Sequence, residues 1–416
     1  MNSNASQHVT VIGAGIVGLC VAYALRKEGF AVRVIDPEEP GSQCSFGNAG
    51  AISAGSVAPL AMPGILKSSA KMLLEADSPL YVPPHYWLRA APWLWRFVAS
   101  ATPQRVEEIA TALTDLFTGA VENHRALAKE IGCPDRVVQT GQLHLYRNAA
   151  ALDKDMGSWR LRERHGVKCE RLDAKAIRDL EPAVSSDYTL AMFMPEQGAV
   201  TNPFAYAHAI AEAARQRGVD FVRDRVRMLA PHAGGWKVQG VERTYQSNLV
   251  VMAAGVWSAE LLRPLGLRLP LESQRGYHLH VASPNIAIGR PIVFADRKVF
   301  AVPMEHGLRI SGTVEFGGLE MPPTARRAEA LGEAAVQGLP GLALNAPTMW
   351  MGHRPCLPDS LPVLGPVSRL PGLWCAFGHG HLGVTGSVNT GRWIAQALAN
   401  KMPLERFVRY SLARFY

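Results

Sequence analysis

The sequence predicts an α/β fold in which a parallel sheet is joined to a second unit built on a mostly antiparallel sheet. Three observations carry this prediction. Residues 8–36 read as strand, helix and strand in one unit, and residues 248–254 form the continuous apolar run expected of a buried parallel strand. From residue 271 to 315 the pattern changes to alternating apolar and polar residues, which is typical of antiparallel strands.

The glycines after the first strand indicate what kind of ligand residues 8–36 bind. Gly13 suits a tight turn, Gly15 allows a pyrophosphate to approach the backbone, and Gly18 allows the helix to pack on the strand. The unpaired N–H groups at the helix start favour a phosphate. Asp36, at the end of the second strand, is suited to accept a ribose hydroxyl and disfavours the 2′-phosphate of NADP. This unit therefore predicts a dinucleotide site.

Length, composition and charge limit the classes of protein to which this chain can belong. A chain of 416 residues with 48% hydrophobic and 19% charged residues can bury a large core, and its length favours two joined domains. The net charge is +8 and the isoelectric point is about 9.3, but Lys and Arg are scattered rather than clustered. A nucleic-acid partner is therefore not expected.

The cysteines and the N-terminus indicate a compartment. Six cysteines form no CxxC pair and have no metal spacing with histidine, so we expect reduced thiols and no metal site. The first residues, MNSNASQ, lack the basic and apolar regions of a secretory signal. No stretch reaches the roughly 18 apolar residues that span a bilayer. The expected location is cytoplasmic.

The other elements follow from periodicity and from turn residues. Residues 37–53 form a loop dense in glycine and small polar residues, which suits a ligand's polar edge but also an ordinary surface loop. Asn202 and Pro203 mark a helix start that leads to Arg217. The remaining predictions are helices over 102–131, 151–180, 325–336 and 385–398, strands over 139–147, 220–226, 274–281, 291–304, 308–316 and 373–377, a hairpin at 234–235, and irregular structure over the proline-rich 352–365.

One stretch combines aromatic and basic residues. Residues 57–100 are rich in proline and aromatics, and residues 85–100 read HYWLRAAPWLWRFVAS, with Arg89 and Arg96 beside the aromatics. Such a segment can lie on a membrane face, because Trp and Arg favour the interface. The alternatives are a core segment or a subunit contact.

With these pieces in order, the sequence resembles the D-amino acid oxidase superfamily of FAD-dependent oxidoreductases, most closely its D-amino acid dehydrogenase branch. The resemblance covers nearly the whole chain and rests on five ordered motifs: VTVIGAGIVGL with Asp36, CSFGNAGAIS, VVMAAGVWS, GHRPCLPDSLPVLG and GHGHLGVTGS. It implies a Rossmann-like FAD-binding domain with an inserted α+β substrate domain on a mostly antiparallel sheet. The implied FAD-binding segments are 8–60, 197–268 and 350–416, and the implied substrate segments are 61–196 and 269–349.

The resemblance also implies a set of cofactor contacts. FAD is expected to be noncovalent, because the chain has neither a histidine at 42–48 nor a cysteine at Gly352, where some relatives attach the flavin. The implied FAD-binding residues are Gly13, Gly15, Ile16, Val17, Gly18, Asp36, Ser45, Asn48, Ala49, Val226, Gly255, Gly378, His379, Leu382, Gly383 and Thr385.

For the substrate, the resemblance implies two residues. Arg354 matches the family arginine that holds the substrate carboxylate, a task suited to a planar guanidinium. Tyr277 resembles a pocket tyrosine, with packing on the sheet face as the alternative. The implied reaction is hydride transfer from the α-carbon to flavin N5, without a required protein base at carbon. The histidines 278, 353, 379 and 381 could take protons but are more commonly structural.

Several alternatives stay open at this point. The leading hypothesis is a dehydrogenase of a D-amino acid that passes electrons to a quinone or another carrier, and D-proline or hydroxy-D-proline fits as well as D-alanine. A glycine or sarcosine oxidase that uses O2 shares every motif. A flavoprotein that binds or modifies RNA is the alternative of another class. Homo- or hetero-oligomers are compatible with all of these.

Overall fold

The computed structural model describes residues 7–65 and 80–416. The polar N-terminal stretch before Gln7, and residues 66–79 of the proline- and aromatic-rich region, lie outside the described residues. In the described part of the chain the α-helices are Ile16–Lys27, Trp87–Ala99, Pro103–Phe117, Ala120–Glu130, Ala149–Arg164, Ala174–Leu180, Pro203–Gln216, Ser258–Leu262, Ala325–Gly338 and Gly383–Leu398. Short 3-10 helices cover Pro84–Tyr86, Pro134–Arg136, Gly255–Trp257, Arg263–Leu265, Leu404–Tyr410 and Leu412–Phe415.

A central sheet confirms the predicted parallel strands. Its order is Asp220–Arg223, Ala31–Asp36, His8–Ile12, Leu249–Met252, Leu373–Phe377 and Val363–Pro366. All neighbours are parallel except the last pair. The middle strands are apolar along their length because both faces are covered: helices pack on one side and a smaller sheet on the other.

The helices Ile16–Lys27 and Gly383–Leu398 form the layer on one face. A Cβ at Gly391 would lie 2.5 Å from the carbonyl oxygen of Cys20, so the two helices approach closely only because residue 391 is glycine. The opposite face is covered by an antiparallel meander, Val226–His232, Gly235–Gly240 and Thr244–Ser247. The meander contains the predicted hairpin.

A large, mostly antiparallel sheet forms the second unit, as predicted from residues 271–315. Its order is Thr348–Cys356, Glu272–Val281, Gly307–Phe316, Val299–Met304, Ile292–Phe294, Gln142–Tyr146, Leu190–Met194 and Glu170–Asp173, with Leu80–Tyr81 added beside Gly307–Phe316. The helix Ala325–Gly338 packs on one face of this sheet through a buried apolar cluster. A further small sheet pairs Ala51–Ile52, Gly198–Val200 and Val137–Val138.

The prediction of irregular structure over 352–365 is confirmed for residues 357–362 and wrong for the residues on either side. Residues 352–356 continue the strand Thr348–Cys356, and residues 363–365 begin the strand Val363–Pro366. Both strands lie at the edge of their sheets, where a proline without an N–H group need not interrupt the pairing. The sequence shows the prolines but not that both strands lie at sheet edges, because the position of a strand in a sheet depends on pairing with residues distant in the chain.

Two predicted helices are interrupted. The helix over 102–131 divides at Gly119, whose φ of +66° cannot continue a right-handed helix. The stretch 151–180 holds two helices with the strand Glu170–Asp173 between them. Similarly, the predicted strand over 291–304 is a hairpin of two strands.

The division of the chain at residues 60, 196, 268 and 349 stays a prediction. The central sheet takes its strands from the predicted segments 8–60, 197–268 and 350–416. One departure is visible: the strand Thr348–Cys356 crosses the proposed boundary at 350 and pairs with Glu272–Val281 in the large sheet. The substrate unit therefore includes residues that carry one of the glycine and proline motifs.

Candidate functional site

A long cleft lies at the carboxyl ends of the parallel strands. It encloses about 1680 Å³ with its open mouth included, and it receives residues from both ends of the chain. This edge of an open α/β sheet is the usual place for a ligand. The predicted cofactor residues that line it are Gly13, Gly15, Ile16, Val17, Asp36, Ser45, Asn48, Val226, Gly255, Gly378, His379 and Gly383.

The three glycines of the first motif are glycine for different physical reasons. Gly13 has a φ of +108°, and a Cβ there would lie 2.5 Å from the carbonyl oxygen of Ala253. A Cβ at Gly18 would lie 2.0 Å from the carbonyl oxygen of Gly13, so this glycine serves helix packing. At Gly15 the nearest atom is Ser45 Oγ at 3.7 Å. Packing does not require glycine at 15, and the free space faces the cleft, which fits a diphosphate close to the backbone.

Asp36 is held rigidly at the end of its strand. Its Oδ2 accepts the N–H of Ala14 at 2.7 Å, and its Oδ1 accepts the N–H of Glu38 at 2.9 Å. Burial raises the pKa of Asp36, and the two backbone hydrogen bonds oppose that shift. Each carboxylate oxygen has a second lone pair, so the side chain retains capacity for ligand hydroxyls in the cleft.

The loop after this strand is fixed from two directions. Ser45 Oγ accepts the N–H of Ile16 at 2.9 Å, which ties the loop to the helix start. From the large sheet, Arg309 donates to the carbonyl oxygens of Phe46 and Asn48. Burial lowers the pKa of Arg309 to about 10, so its guanidinium remains charged at neutral pH. Sequence reasoning missed Arg309, because its contact with the loop spans more than 260 residues.

Four of the predicted cofactor residues do not line the cleft. Gly18 serves packing, and Ala49 is half-buried within the loop. Thr385 is 1% exposed, and its Oγ1 accepts the N–H of Ser53, so it joins the helix Gly383–Leu398 to the loop. Leu382 lines a smaller, neighbouring cavity. These residues support the walls of the cleft.

Other cleft residues were missed although they lie in or next to predicted motifs. Arg225 flanks Val226, Trp257 lies within the VVMAAGVWS motif, and Cys44 begins the CSFGNAGAIS motif. The thiol of Cys44 donates to the carbonyl oxygen of His353, which also lines the cleft. Their position next to motif residues is the signal that could have found them.

Arg354 carries a charge that has no anionic partner among the described residues. The half-buried guanidinium donates to the carbonyl oxygens of Thr313 at 2.9 Å and Gly312 at 3.1 Å. It lies over Gly276, where a Cβ would be 2.1 Å from Cζ. Burial lowers the pKa of Arg354, since desolvation disfavours the cation. An uncompensated cation in such a place favours a bound carboxylate.

The substrate contact of Tyr277 stays a prediction, and the structure gives this residue the surroundings of a packed side chain. Side chains alternate along a strand, so Tyr277 points away from the face on which Gly276 accommodates Arg354. Tyr277 is 1% exposed, and its hydroxyl donates to Glu315 and accepts from Arg275. Its position matches the packing role that the sequence left as the alternative.

The four histidines differ in their partners. The ring of His278 bonds to the carbonyl oxygen of Gly47 at 3.0 Å, and the ring of His379 bonds to Thr390 at 2.9 Å. Burial lowers the pKa of both rings to about 3, so they are neutral and structural. His353 bonds to a serine hydroxyl through Nδ1. No residue in the described ranges bonds to the ring of His381.

The aromatic segment forms a helix with two different faces. In the helix Trp87–Ala99, Trp93 is 6% exposed and packs on Phe316, whereas Leu88 is 92% and Trp95 is 76% exposed. One face is therefore core, and the other presents large apolar side chains to solvent. Among residues 7–65 and 80–416, no helix has the length and apolar character needed to cross a bilayer.

In the described part of the chain, no group of three or more His, Cys, Asp or Glu side chains is placed to hold a metal ion. The six cysteines, all of them in that part, are free thiols.

Comparison with protein families gives one match over nearly the whole chain. Residues 8–397 match the model described as DAO, FAD dependent oxidoreductase. A protein named D-amino-acid oxidase from Bradyrhizobium diazoefficiens is 38% identical over 98% of this chain and 99% of its own. A protein named D-amino acid dehydrogenase from Dechloromonas aromatica is 30% identical over 96% of this chain and 98% of its own.

Solved structures show the same fold. Glycine oxidase from Geobacillus kaustophilus superimposes with a TM-score of 0.78 at 21% identity, covering 98% of this chain and 99% of that one. L-proline dehydrogenase from P. horikoshii superimposes with a TM-score of 0.76 at 18% identity, covering 98% and 97%. At these identities the likeness concerns the fold.

Proposed function

The chain belongs to the DAO family of FAD-dependent oxidoreductases, and from that premise we propose that it oxidises the Cα–N bond of a D-amino acid whose carboxylate is held by Arg354. One observation supports this most directly. Arg354 is a half-buried cation with two carbonyl partners, and no described carboxylate pairs with it. A substrate carboxylate supplies the missing charge, and the guanidinium can hold it by two parallel hydrogen bonds.

The cleft at the ends of the parallel strands suits FAD. We infer that the helix start at Gly15 and Ile16 meets the diphosphate and that Asp36 accepts ribose hydroxyls. Bound FAD supplies a two-electron acceptor for the hydride that leaves the α-carbon. A side chain at Gly352 would collide with Trp350, at 2.0 Å from its ring, so this position offers no covalent attachment. Noncovalent FAD is part of the proposal.

The protein's own contribution to the reaction is positioning. Arg354 fixes the carboxylate, and its bonds to Thr313 and Gly312 fix the guanidinium. Orientation of this kind replaces random encounters and can supply several kcal/mol of barrier lowering. The imino acid product is then hydrolysed by water, or it cyclises when the side chain permits.

The substrate test is anaerobic mixing of the yellow holoenzyme with both enantiomers of each amino acid, including D-proline and cis-4-hydroxy-D-proline. We expect bleaching of the flavin absorbance with D-amino or D-imino acids and none with their L-enantiomers. Bleaching by L-enantiomers alone would overturn the stereochemical assignment. The relatives named D-amino-acid oxidase and D-amino acid dehydrogenase support the D-assignment.

Two versions of this function differ in the electron acceptor. We favour a dehydrogenase that uses a quinone or another carrier, and the alternative is an oxidase that uses O2, including one for glycine or sarcosine. One relative carries each type of name. Air added to substrate-reduced enzyme separates them: reoxidation within milliseconds to seconds means an oxidase, and reoxidation only after a quinone or dye is added means a dehydrogenase.

The exposed face of the helix Trp87–Ala99 supports docking on an anionic membrane. Leu88 and Trp95 lie on one side of this helix, and Arg89 and Arg96 lie beside them. Apolar insertion together with basic residues favours a lipid headgroup region. Trp93, which the sequence placed in the same stripe, is a core residue.

Vesicles of phosphatidylcholine and phosphatidylglycerol test this contact by sedimentation. Leu88→Ser with Trp95→Ser should release the protein, whereas Val408→Ser, at an exposed apolar residue elsewhere, should not. Wild-type protein that stays in the supernatant at low salt would sink the proposal. A cytoplasmic location and an oligomeric state remain predictions.

The RNA-binding alternative belongs to a different class. Family membership and the cleft favour the enzyme, and the predicted absence of a nucleic-acid partner rests on scattered rather than clustered basic residues. An RNA shift that weakens steeply with salt would reopen this alternative.

A further inference from the structure

A β-bulge interrupts the large sheet beside the candidate carboxylate site. Two adjacent antiparallel strands lose their regular register at one point, where Thr313 and Val314 together oppose the single residue Gly276. Gly276 is also the residue over which the guanidinium of Arg354 lies. Bulges are common next to active sites, because the extra residue redirects groups that a regular strand would aim along the sheet. The bulge and the cation therefore form one local structure.

The backbone of Thr313 is strained, and the strain has a visible effect. Its φ is +39°, in the left-handed region, which is unusual for a β-branched residue. Successive carbonyl groups of a regular strand point in opposite directions. Those of Gly312 and Thr313 nevertheless both accept hydrogen bonds from Arg354, at 3.1 Å and 2.9 Å. Strain of this kind is concentrated at ligand sites, and here it turns two consecutive carbonyls toward one cation.

The hydroxyl of Thr313 is buried and lacks a hydrogen-bond partner among residues 7–65 and 80–416. The whole residue is only 8% exposed. Such a hydroxyl is rare, because it has lost its hydrogen bonds to water without replacing them. It is joined through Cα and Cβ to the carbonyl group that accepts from Arg354. An unpaired donor and a cation without a described anionic partner therefore lie close together.

The alternation of side chains places this hydroxyl on the same face of the sheet as the guanidinium. His278 and Arg309 both bond to carbonyl oxygens of the loop at 46–48, so both point toward the cleft side of the sheet. The pairing is regular from residue 309 to 312. Steps of two residues lead from His278 to Gly276, over which the guanidinium lies, and from Arg309 to Thr313.

We propose that the Thr313 hydroxyl donates a hydrogen bond to the substrate carboxylate that Arg354 holds. This inference rests on the proposed function. Two of the five N–H groups of Arg354 bond to the carbonyls of the bulge, and no described acceptor takes the other three. A carboxylate offers about four acceptor positions, so it can accept from the guanidinium and from the hydroxyl together. The hydroxyl replaces a hydrogen bond that the carboxylate gives up when it leaves water.

Propionate tests this hydrogen bond without turnover, because it carries the carboxylate but no amine. Its binding to the holoenzyme is followed through the flavin absorbance. Thr313→Val replaces the hydroxyl with a methyl group and should raise the Kd of propionate by roughly 10- to 100-fold, the scale of a hydrogen bond to a charged group. Thr313→Ser keeps the hydroxyl and should bind propionate nearly as tightly as the wild type. An unchanged Kd in Thr313→Val overturns the inference.

Two further variants separate hydrogen bonding from packing. Thr313→Ala differs from Thr313→Ser only by the hydroxyl, so this pair gives the same comparison if valine disturbs the fold. Thr10 is fully buried in the central sheet, its hydroxyl also lacks a described partner, and it does not line the cleft. Thr10→Val should therefore leave the Kd of propionate unchanged. Both valine variants should melt no lower than the wild type, since each removes a buried, unpaired hydroxyl. A Kd that rises equally in both overturns the inference.

The second experiment is the steady-state oxidation of the best D-amino acid. Thr313→Val should lower kcat/KM by roughly 10- to 100-fold, chiefly through a higher KM. It should leave the slow oxidation of an amine without a carboxylate unchanged. Equal losses for both substrates would mean that Thr313 supports the fold or the flavin, which overturns the inference. A wild type that oxidises no amino acid would instead overturn the proposed function.

Discussion

At the scale of single residues, Arg354 carries the strongest prediction. A carboxylate in a largely desolvated site needs a fixed cation, and truncating that cation leaves the anion unpaired, at a cost of about 3–5 kcal/mol. Arg354→Ala should therefore lower kcat/KM for α-amino acids by roughly 10² to 10³ or more, since 1.36 kcal/mol is tenfold. Arg354→Lys should recover only part, because an ammonium lacks the two-point grip. Steady-state kinetics measure this.

An amine substrate without a carboxylate is the control for Arg354. Its slow turnover should be nearly the same in Arg354→Ala and in the wild type. Equal losses for both substrates, at unchanged FAD content, would mean that Arg354 supports the fold or the flavin and that the substrate lies elsewhere.

Gly276 allows a test that leaves Arg354 in place. A Cβ at residue 276 would overlap the guanidinium, but the guanidinium is the end of a flexible side chain and can move aside. Gly276→Ala should thus displace the group from the carbonyls of Gly312 and Thr313 and raise KM for D-amino acids by about tenfold, the equivalent of 1.4 kcal/mol. The melting temperature should change little.

Gly157→Ala is the matched control. Gly157 lies inside the helix Ala149–Arg164, and its Cβ would meet nothing within 4 Å. This substitution should raise stability by about 0.5–1 kcal/mol and leave KM unchanged. If Gly276→Ala also leaves KM unchanged, the precise position of the guanidinium is not what binds the substrate.

At the scale of elements, one carboxylate organises the meander beside the cleft. Asp224 accepts the N–H groups of Arg225, Val241 and Glu242 and the hydroxyl of Tyr245. Burial raises its pKa, but these hydrogen bonds outweigh burial and hold the pKa below its ordinary value. Asp224→Asn places an amide NH2 among these donors and should cost about 1–3 kcal/mol of unfolding free energy at pH 7.

The pH dependence of this loss follows from the lowered pKa. A carboxyl group with a depressed pKa stabilises the fold above the pKa of the unfolded chain, about 3.9, and loses that contribution as pH falls below it. The difference in unfolding free energy between wild type and Asp224→Asn should therefore be constant from pH 7 to 5 and shrink below pH 4. Denaturant titrations at three pH values measure it, and a difference that grows toward acid pH would contradict the assignment.

Prediction of elements from the sequence succeeded where the signal was local. The unit of residues 8–36 is encoded by neighbouring glycines and an apolar run. The resemblance implied FAD-binding segments near both ends of the chain, and residues of both segments line one cleft. The sequence could not decide between the two roles of Tyr277, because the periodicity of a strand does not tell which face meets the substrate. Arg309 was missed because the loop that it holds is distant in sequence. The face that a strand residue occupies and the distant residues that it contacts both depend on strand register, which is a long-range property.

At the scale of the whole molecule, the cleft proposed for FAD joins segments that are far apart in the chain. The cleft takes residues from the first motif, from Val226 and Gly255, and from residues 376–380 and 383–384 near the C-terminus. A ligand that binds only the folded state stabilises it by RT ln(1 + [L]/Kd), about 2.7 kcal/mol at a hundredfold excess over Kd. FAD removal should therefore lower the melting temperature, and added FAD should restore it.

Removal and re-addition of FAD also test whether the flavin is bound noncovalently, because only a noncovalent flavin can be both released and rebound. Heat or acid precipitation of the yellow protein should leave the flavin in the supernatant, since the loop at 42–48 has no histidine and residue 352 is a glycine. The apoprotein, freed of flavin by mild acid or chaotrope, should then regain both its melting temperature and its yellow colour with FAD. Asp36→Ala should require more FAD for the same recovery, by the equivalent of about 1–3 kcal/mol for a lost charge-assisted hydrogen bond. Flavin that stays with the pellet would overturn the noncovalent assignment, and recovery at an unchanged FAD concentration in Asp36→Ala would overturn the ribose contact.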